Sequence, residues 1–144
     1  MFTYSKLAQG GIAAVSYLAE KSGDERLIGS GEIAESRQLS RMLVAKILTL
    51  LSAAGLVTGK SGPNGGYQLA RDPQKISLFD VIQVFEDMES QVMCPFGPNW
   101  CGIRSHCPLH DTFTALREDA LNRLKRENFA QFYQPKEKGK KRKK

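Results

Sequence analysis

Three stretches in the first half of the chain repeat their apolar residues every three or four positions, which predicts three amphipathic helices. The first covers residues 8–21. A short second helix follows Ser30, its expected N-cap, and a third follows Ser40 in the same way. Gly55 is expected to end the third helix in the left-handed conformation. The apolar positions of the third helix are Leu43, Val44, Ile47, Leu48, Leu51 and Ala54.

A short β-hairpin is predicted directly after the third helix. Residues 56–58 and 67–70 have strand character, and residues 62–66 between them contain Pro63, Asn64 and three glycines. Asn64 and the glycines are expected to supply the positive φ angles of the turn. A short and a longer helix joined by a few residues form a helix-turn-helix, and a hairpin after it is a wing. The sequence therefore predicts a winged helix-turn-helix domain over residues 1–88.

The second half of the chain predicts two more helices. Ser77 and Asp80 have the spacing of a capping box at the start of the first. Residues 111–133 predict a final helix of about six turns, which is longer than so small a domain can cover. Its surplus apolar face favours dimerisation, with packing on its own domain as the alternative. That face comprises Phe113, Leu116, Ala120, Leu124, Phe129 and Phe132. The predicted fold is mainly α with a small β-wing.

The charge of the chain is concentrated at one end. The formal net charge is +6, and residues 136–144 hold seven Lys or Arg and one Glu, so the other residues balance. We expect residues 134–144 to be a disordered basic tail, for which a polyanion partner and simple solvation are both adequate explanations. No apolar run reaches the roughly 18 residues that span a membrane, and no secretory signal is evident, which favours a cytoplasmic protein.

All three cysteines of the chain lie within fourteen positions, in a segment rich in proline and glycine over residues 89–110. Cys94, Cys101 and Cys107 are followed by His110, and three thiolates with one imidazole can bind zinc or ligate an iron–sulfur cluster. A loop with so little apolar content would be organised by a metal centre. The wide gaps lack the paired cysteines of structural zinc sites, which favours iron–sulfur and leaves zinc as the alternative.

The sequence offers little support for catalysis. There is no Ser–His–Asp or Cys–His–Asn arrangement apart from the cysteine segment, and the glycines at 62–66 lie in a hairpin instead of a phosphate-binding loop. We therefore do not expect an enzyme. An iron–sulfur carrier is a remote alternative, because it leaves the wing and the third helix without a role.

The order of these features resembles the Rrf2 family of bacterial winged-helix regulators, the group that contains IscR, NsrR and RirA. The resemblance covers residues 4–132, including the wing GPNGGY, the segment ISLFDVIQVFED and the three-cysteine loop. It implies a homodimeric transcriptional regulator, most simply a repressor, that binds palindromic double-stranded DNA under the control of an iron–sulfur cluster.

The resemblance also implies the cluster ligands. Cys94, Cys101 and Cys107 would be the thiolates, and the ending Cys-Pro-Leu-His places His110 where the IscR branch has its histidine. A two-iron (2Fe–2S) cluster is favoured, with a four-iron (4Fe–4S) cluster as the alternative.

The DNA-binding candidates lie on the third helix and on the wing. Arg41 is expected to contact guanine edges and Ser40 a phosphate, because the N-terminus of this helix enters the major groove. Lys60 can contact a phosphate or a narrow minor groove. Family members often have arginine at the base of the wing, where this chain has Ser61. Arg37 is a weaker phosphate candidate. The full set is Ser40, Arg41, Lys46, Lys60, Ser61 and Asn64.

Overall fold

The computed structural model describes residues 3–91, 94–97 and 107–135. Within them the chain is mainly helical, with one two-stranded antiparallel sheet, as the sequence predicts. The helices are α1 Lys6–Glu20, α2 Ser30–Arg37, α3 Arg41–Ala53, α4 Leu78–Phe85 and α5 His110–Arg126, and the strands are β1 Val57–Lys60 and β2 Gly66–Leu69. Two short 3₁₀ turns cover Pro73–Lys75 and Phe129–Phe132.

Helix α1 lies at the centre of the fold and packs against α2, α3, α4 and the second 3₁₀ turn. It begins where the Ser5 hydroxyl accepts a hydrogen bond from the Ala8 N–H at 3.1 Å. Two glycines on α1 permit the close approach of its neighbours. A Cβ on Gly10 would lie 2.5 Å from Ile47 Cδ1 of α3, and one on Gly11 would lie 2.3 Å from Phe85 Cε2 of α4.

Helices α2 and α3 form the predicted helix-turn-helix. Gln38 adopts φ 55° at the turn, and the Ser40 hydroxyl caps α3 by accepting from the Leu43 N–H at 3.1 Å. The start of α2 differs from the prediction, because Gly29 is its N-cap and Ser30 is already its first residue. The cause is the preceding residue, since Ile28 pairs with Tyr67 in an antiparallel bridge and keeps the chain extended up to the helix.

The predicted wing is present and is longer than expected. β1 and β2 pair in antiparallel register, with Val57 opposite Leu69 and Lys60 opposite Gly66. Of the turn residues predicted to have positive φ, three do, with 92° at Gly62, 60° at Asn64 and 145° at Gly66, whereas Gly65 does not. Gly55, after the end of α3, has the predicted left-handed φ of 75°.

The segment after the cysteine loop differs most from the prediction. The capping box of α4 is present, but the final helix ends at Arg126 and does not continue to residue 133. After Arg126 the backbone becomes extended, because it pairs with the residues before α4. The Leu78 N–H donates to the Glu127 carbonyl at 2.9 Å, and the Phe129 N–H donates to the Ile76 carbonyl at 3.1 Å. Phe129 is completely buried in the main core of its own domain, so it is not part of an exposed dimerisation face.

A second, smaller cluster joins α4 to α5 and contains Phe79, Ile82, Met88 and Leu121. Leu116 on α5 remains 47% exposed.

Among the described residues, no helix has the length and apolar character needed to cross a bilayer.

Candidate functional site

The N-terminal part of α3 presents a positively charged face to solvent. Ser40, Arg41 and Lys46 are all exposed, and α3 contains no acidic residue. The opposite face is completely buried and holds α3 against the core through Val44, Ile47, Leu48 and Leu51. The Arg41 guanidinium extends over the first turn of α2, where a Cβ on Gly31 would lie 3.5 Å from Nη2. The sequence-predicted residues of this helix are thus together on one accessible face.

Sequence analysis missed Met42, which is 86% exposed on the same face of α3. The signal was present in the sequence, because Met42 is a large apolar residue out of phase with the buried positions of this helix. Ala45 and Thr49 are also exposed on this side.

The wing contributes a second exposed surface, which contains Lys60, Ser61 and Asn64. Its position relative to α2 is fixed by two hydrogen bonds between Ile28 and Tyr67, at 2.9 and 2.7 Å. Gly66 allows this contact, since a Cβ there would lie 2.7 Å from the backbone carbonyl of Ile28. The wing and the helix-turn-helix therefore form one unit.

Arg37 does not belong to this surface, contrary to its predicted role as a phosphate contact. Its guanidinium forms a 3.0 Å ion pair with Glu20, donates to the Ser16 hydroxyl at 3.2 Å and lies over the Tyr17 ring at 5.1 Å. These contacts use Arg37 to fasten α2 to α1.

A second polar cluster fastens the other end of α2. The Tyr17 hydroxyl donates to Glu32 at 2.8 Å, and Arg26 donates to the same carboxylate at 2.9 and 3.3 Å. The hydrogen bond from Arg26 lowers the pKa of Glu32, and burial raises the pKa of Tyr17. Helix α2, which supports α3, is thereby held at both ends.

The described part of the cysteine loop places three of the four predicted metal ligands in tight turns. The Gly97 N–H donates to the Cys94 carbonyl at 3.0 Å, and the His110 N–H donates to the Cys107 carbonyl at 3.1 Å. Both thiols are partly exposed and form no disulfide. His110 is the first residue of α5, and its Nε2 lies 3.5 Å from Thr114 Oγ1.

The chemistry of these donors suits zinc or an iron–sulfur cluster, because thiolate sulfur and imidazole nitrogen bind both. Cys107 precedes the N-terminus of a 17-residue helix, and this end of a helix favours a bound group of negative charge. No three His, Cys, Asp or Glu side chains converge in a metal-binding arrangement within residues 3–91, 94–97 and 107–135. Cys101, the third predicted thiolate, lies outside these ranges, as do residues 136–144 of the basic tail.

The start of the cysteine loop is connected by hydrogen bonds to α5 and, through Glu86, to the start of α1. The Gln91 carbonyl accepts from Arg117 of α5 at 3.1 Å, and its side-chain amide donates to Glu86 at 3.0 Å. The other carboxylate oxygen of Glu86 accepts from the N–H of Ser5, the N-cap of α1. A continuous set of hydrogen bonds therefore links the start of the loop, α5 and the N-cap of the central helix α1.

Known proteins that are similar to this chain in sequence are transcriptional regulators. The sequence profile of the Rrf2 family, described as an iron-dependent transcriptional regulator, matches residues 4–135. An HTH-type transcriptional regulator of Aquifex aeolicus is 32% identical over 116 residues, which is 79% of each chain.

Solved structures of transcriptional regulators have the same fold as this chain. IscR of T. potens superposes with a TM-score of 0.71 at 25% identity, covering 90% of this chain and 84% of IscR. CymR, described as the global cysteine regulator of B. subtilis, has the same fold with a TM-score of 0.77 at 23% identity, covering 93% of this chain and 100% of CymR. The matched family consists of transcriptional regulators and not of enzymes. The chain therefore belongs to the Rrf2 family of DNA-binding transcriptional regulators.

Proposed function

We propose that this regulator is a cytoplasmic homodimeric repressor whose affinity for a palindromic operator depends on an iron–sulfur cluster. The family is described as iron-dependent, and IscR is among the similar structures. The observation that carries the proposal is the backbone turn from Cys107 to His110, which places a cysteine and a histidine three positions apart at the N-terminus of α5.

The ligands in this proposal are Cys94, Cys101, Cys107 and His110, with a two-iron cluster favoured over a four-iron cluster. The cluster would supply sensitivity to iron supply or to oxidants. The residues of this chain transmit the state of the loop, because Gln91 is bonded to Arg117 on one side and to Glu86 on the other. Glu86 in turn contacts Ser5 at the start of α1, which packs directly on α3.

On the DNA side, we assign the major groove to the N-terminal half of α3 and the backbone to the wing. Arg41 contacts guanine edges, Ser40 and Lys46 contact phosphates, and the exposed wing residues Lys60, Ser61 and Asn64 contact the backbone or minor groove. Homodimerisation through the exposed face of α5 around Leu116 would place two such surfaces on successive major grooves, about 34 Å apart.

The test of the metal site is anaerobic purification followed by a visible spectrum and analysis of iron, sulfide and zinc. We expect a coloured protein with equal iron and sulfide, and the absorbance bands distinguish two-iron from four-iron clusters. Cys94→Ala is expected to lose the cluster. A colourless protein with one zinc per chain would replace the sensing proposal by a structural zinc site, and an alanine variant with full iron would refute the ligand assignment.

The test of the DNA surface is operator binding by the same preparations. Arg41→Ala is expected to weaken binding about 5- to 150-fold per half-site and to retain the metal, because a bidentate guanine contact is worth about 1–3 kcal/mol. Lys75→Ala is the matched control, since it removes an exposed cation in the first 3₁₀ turn, away from α3. Equal affinities for the Arg41 and Lys75 variants would remove Arg41 from the interface.

A further inference from the structure

The most exposed of the large apolar side chains in the described part of the chain is Met42, which is 86% exposed in the first turn of α3. At about 100° per residue, Met42 points almost directly away from the buried side of the helix formed by Val44, Ile47 and Leu51. It makes no contribution to the core of the domain. Its side chain is therefore available for contact with a partner outside the domain.

The surroundings of Met42 indicate what kind of partner this is. Arg41 and Lys46 flank it, and α3 contains no acidic residue. Ala45 is exposed one turn later, and the Thr49 hydroxyl already donates to the Ala45 carbonyl at 2.9 Å. The centre of the face is thus apolar and short of free polar groups, and its edges are cationic. A surface of this kind complements the major groove, where phosphates border the methyl groups of thymine.

We infer that Met42 contacts the C5 methyl group of a thymine in each half-site of the operator. This inference rests on the proposed role of α3 in the major groove. Thymine is the base that offers an apolar group there, so an apolar side chain in the first turn selects it directly. A second copy of this chain is disfavoured as the occupant, because the adjacent cations of two copies would repel each other across such a contact.

The experiment removes one methyl group at a time. A duplex selected by the full chain from a random library is resynthesised with each thymine replaced in turn by deoxyuridine, which lacks only the C5 methyl. Burying one methyl group changes an affinity about fourfold. We expect a single thymine per half-site to show this loss with the wild-type protein, and symmetric replacement in both half-sites to cost about fifteenfold.

The same duplexes are then titrated with Met42→Ala, a surface substitution that removes no buried contact. This variant is expected to bind the thymine and the deoxyuridine duplexes equally. Lys46→Ala is the matched control, because it should weaken binding to all duplexes and preserve the fourfold difference between them.

Three results would overturn the inference. The first is an undiminished thymine preference in Met42→Ala, and the second is the absence of any thymine whose methyl group matters. The third is a change of oligomeric state in Met42→Ala, which would assign this face to a protein contact. Failure of the wild-type chain to select any duplex would instead refute the proposed function of α3.

Discussion

Phe129 offers the sharpest test of how the end of the chain is built. Its ring is completely buried in the main core beside residues of α1, although it lies three residues beyond the end of α5. Phe132 is its natural comparison, because the two rings stack with centroids 5.7 Å apart and Phe132 remains 40% exposed.

Phe129→Ala is expected to lower the free energy of unfolding by about 3–5 kcal/mol, the cost of truncating a fully buried phenylalanine. Phe132→Ala is expected to cost about 1 kcal/mol, because much of its ring is in water in the native state. Guanidinium denaturation monitored by circular dichroism measures both values, and each variant is compared with wild type at several protein concentrations. The concentration series separates the stability of the domain from that of a dimer.

Equal losses in the two variants would refute this reasoning. So would a loss in Phe129→Ala that disappears at high protein concentration, because that is the behaviour of an interface residue. The second result would assign residues 129–132 to a dimer interface, the role that the sequence alone predicts for them.

Three further predictions concern the wing, α2 and the cysteine loop. Gly66→Ala is expected to lower the free energy of unfolding by about 2–4 kcal/mol and to weaken operator binding, because φ is 145° at this position and the new Cβ clashes with the Ile28 backbone. Gly62→Ala is the comparison, since φ is 92° there but the surrounding space is open, and it should cost about 1–2 kcal/mol in the same denaturation assay. The folded state lowers the pKa of Glu32, so its stabilisation is present above about pH 4.3 and is lost as the pH falls through the folded value. Thermal melts of wild type and Glu32→Gln should therefore differ at neutral pH and converge in acid, and a constant difference would contradict this. Glu86→Gln is expected to cost about 1 kcal/mol in denaturation, because one of its two accepting oxygens becomes a donor facing a donor, and an unchanged midpoint would contradict the hydrogen bonds to Ser5 and Gln91.

The parts of the fold that sequence predicts correctly are those that local chemistry determines. The cap of α3 at Ser40, the left-handed Gly55 and the capping box at Ser77 each depend on residues within four positions of one another. Helical periodicity over α3 identifies its buried side for the same reason. The order of these local signals was sufficient to predict the winged helix-turn-helix.

The parts that sequence did not predict depend on contacts between distant positions. α5 ends at Arg126 because residues 127–129 pair with residues 76–78, about fifty positions away, and no local signal marks that pairing. Arg37 connects α2 to α1 because its partners Ser16 and Glu20 are brought close only when these two helices pack. A cation near α3 is therefore a good candidate for a DNA contact only if it does not form an ion pair with a carboxylate of the same domain.

Helix α1 lies between the start of the cysteine loop and α3, the two regions that the proposed function couples. The N–H of Ser5, the N-cap of α1, donates a hydrogen bond to the Glu86 carboxylate, which also accepts one from the side-chain amide of Gln91 at the start of the cysteine loop. The middle of α1 contacts Ile47 of α3 and Phe85 of α4 at glycines, where no flexible side chain can absorb a displacement. Because close-packed elements shift as units, a rearrangement of the loop that moves Glu86 must be accommodated by α1 and α4 together. Helix α3 packs on that same helix, so under the proposed function a rearrangement of the loop would reach the exposed face of α3 through α1.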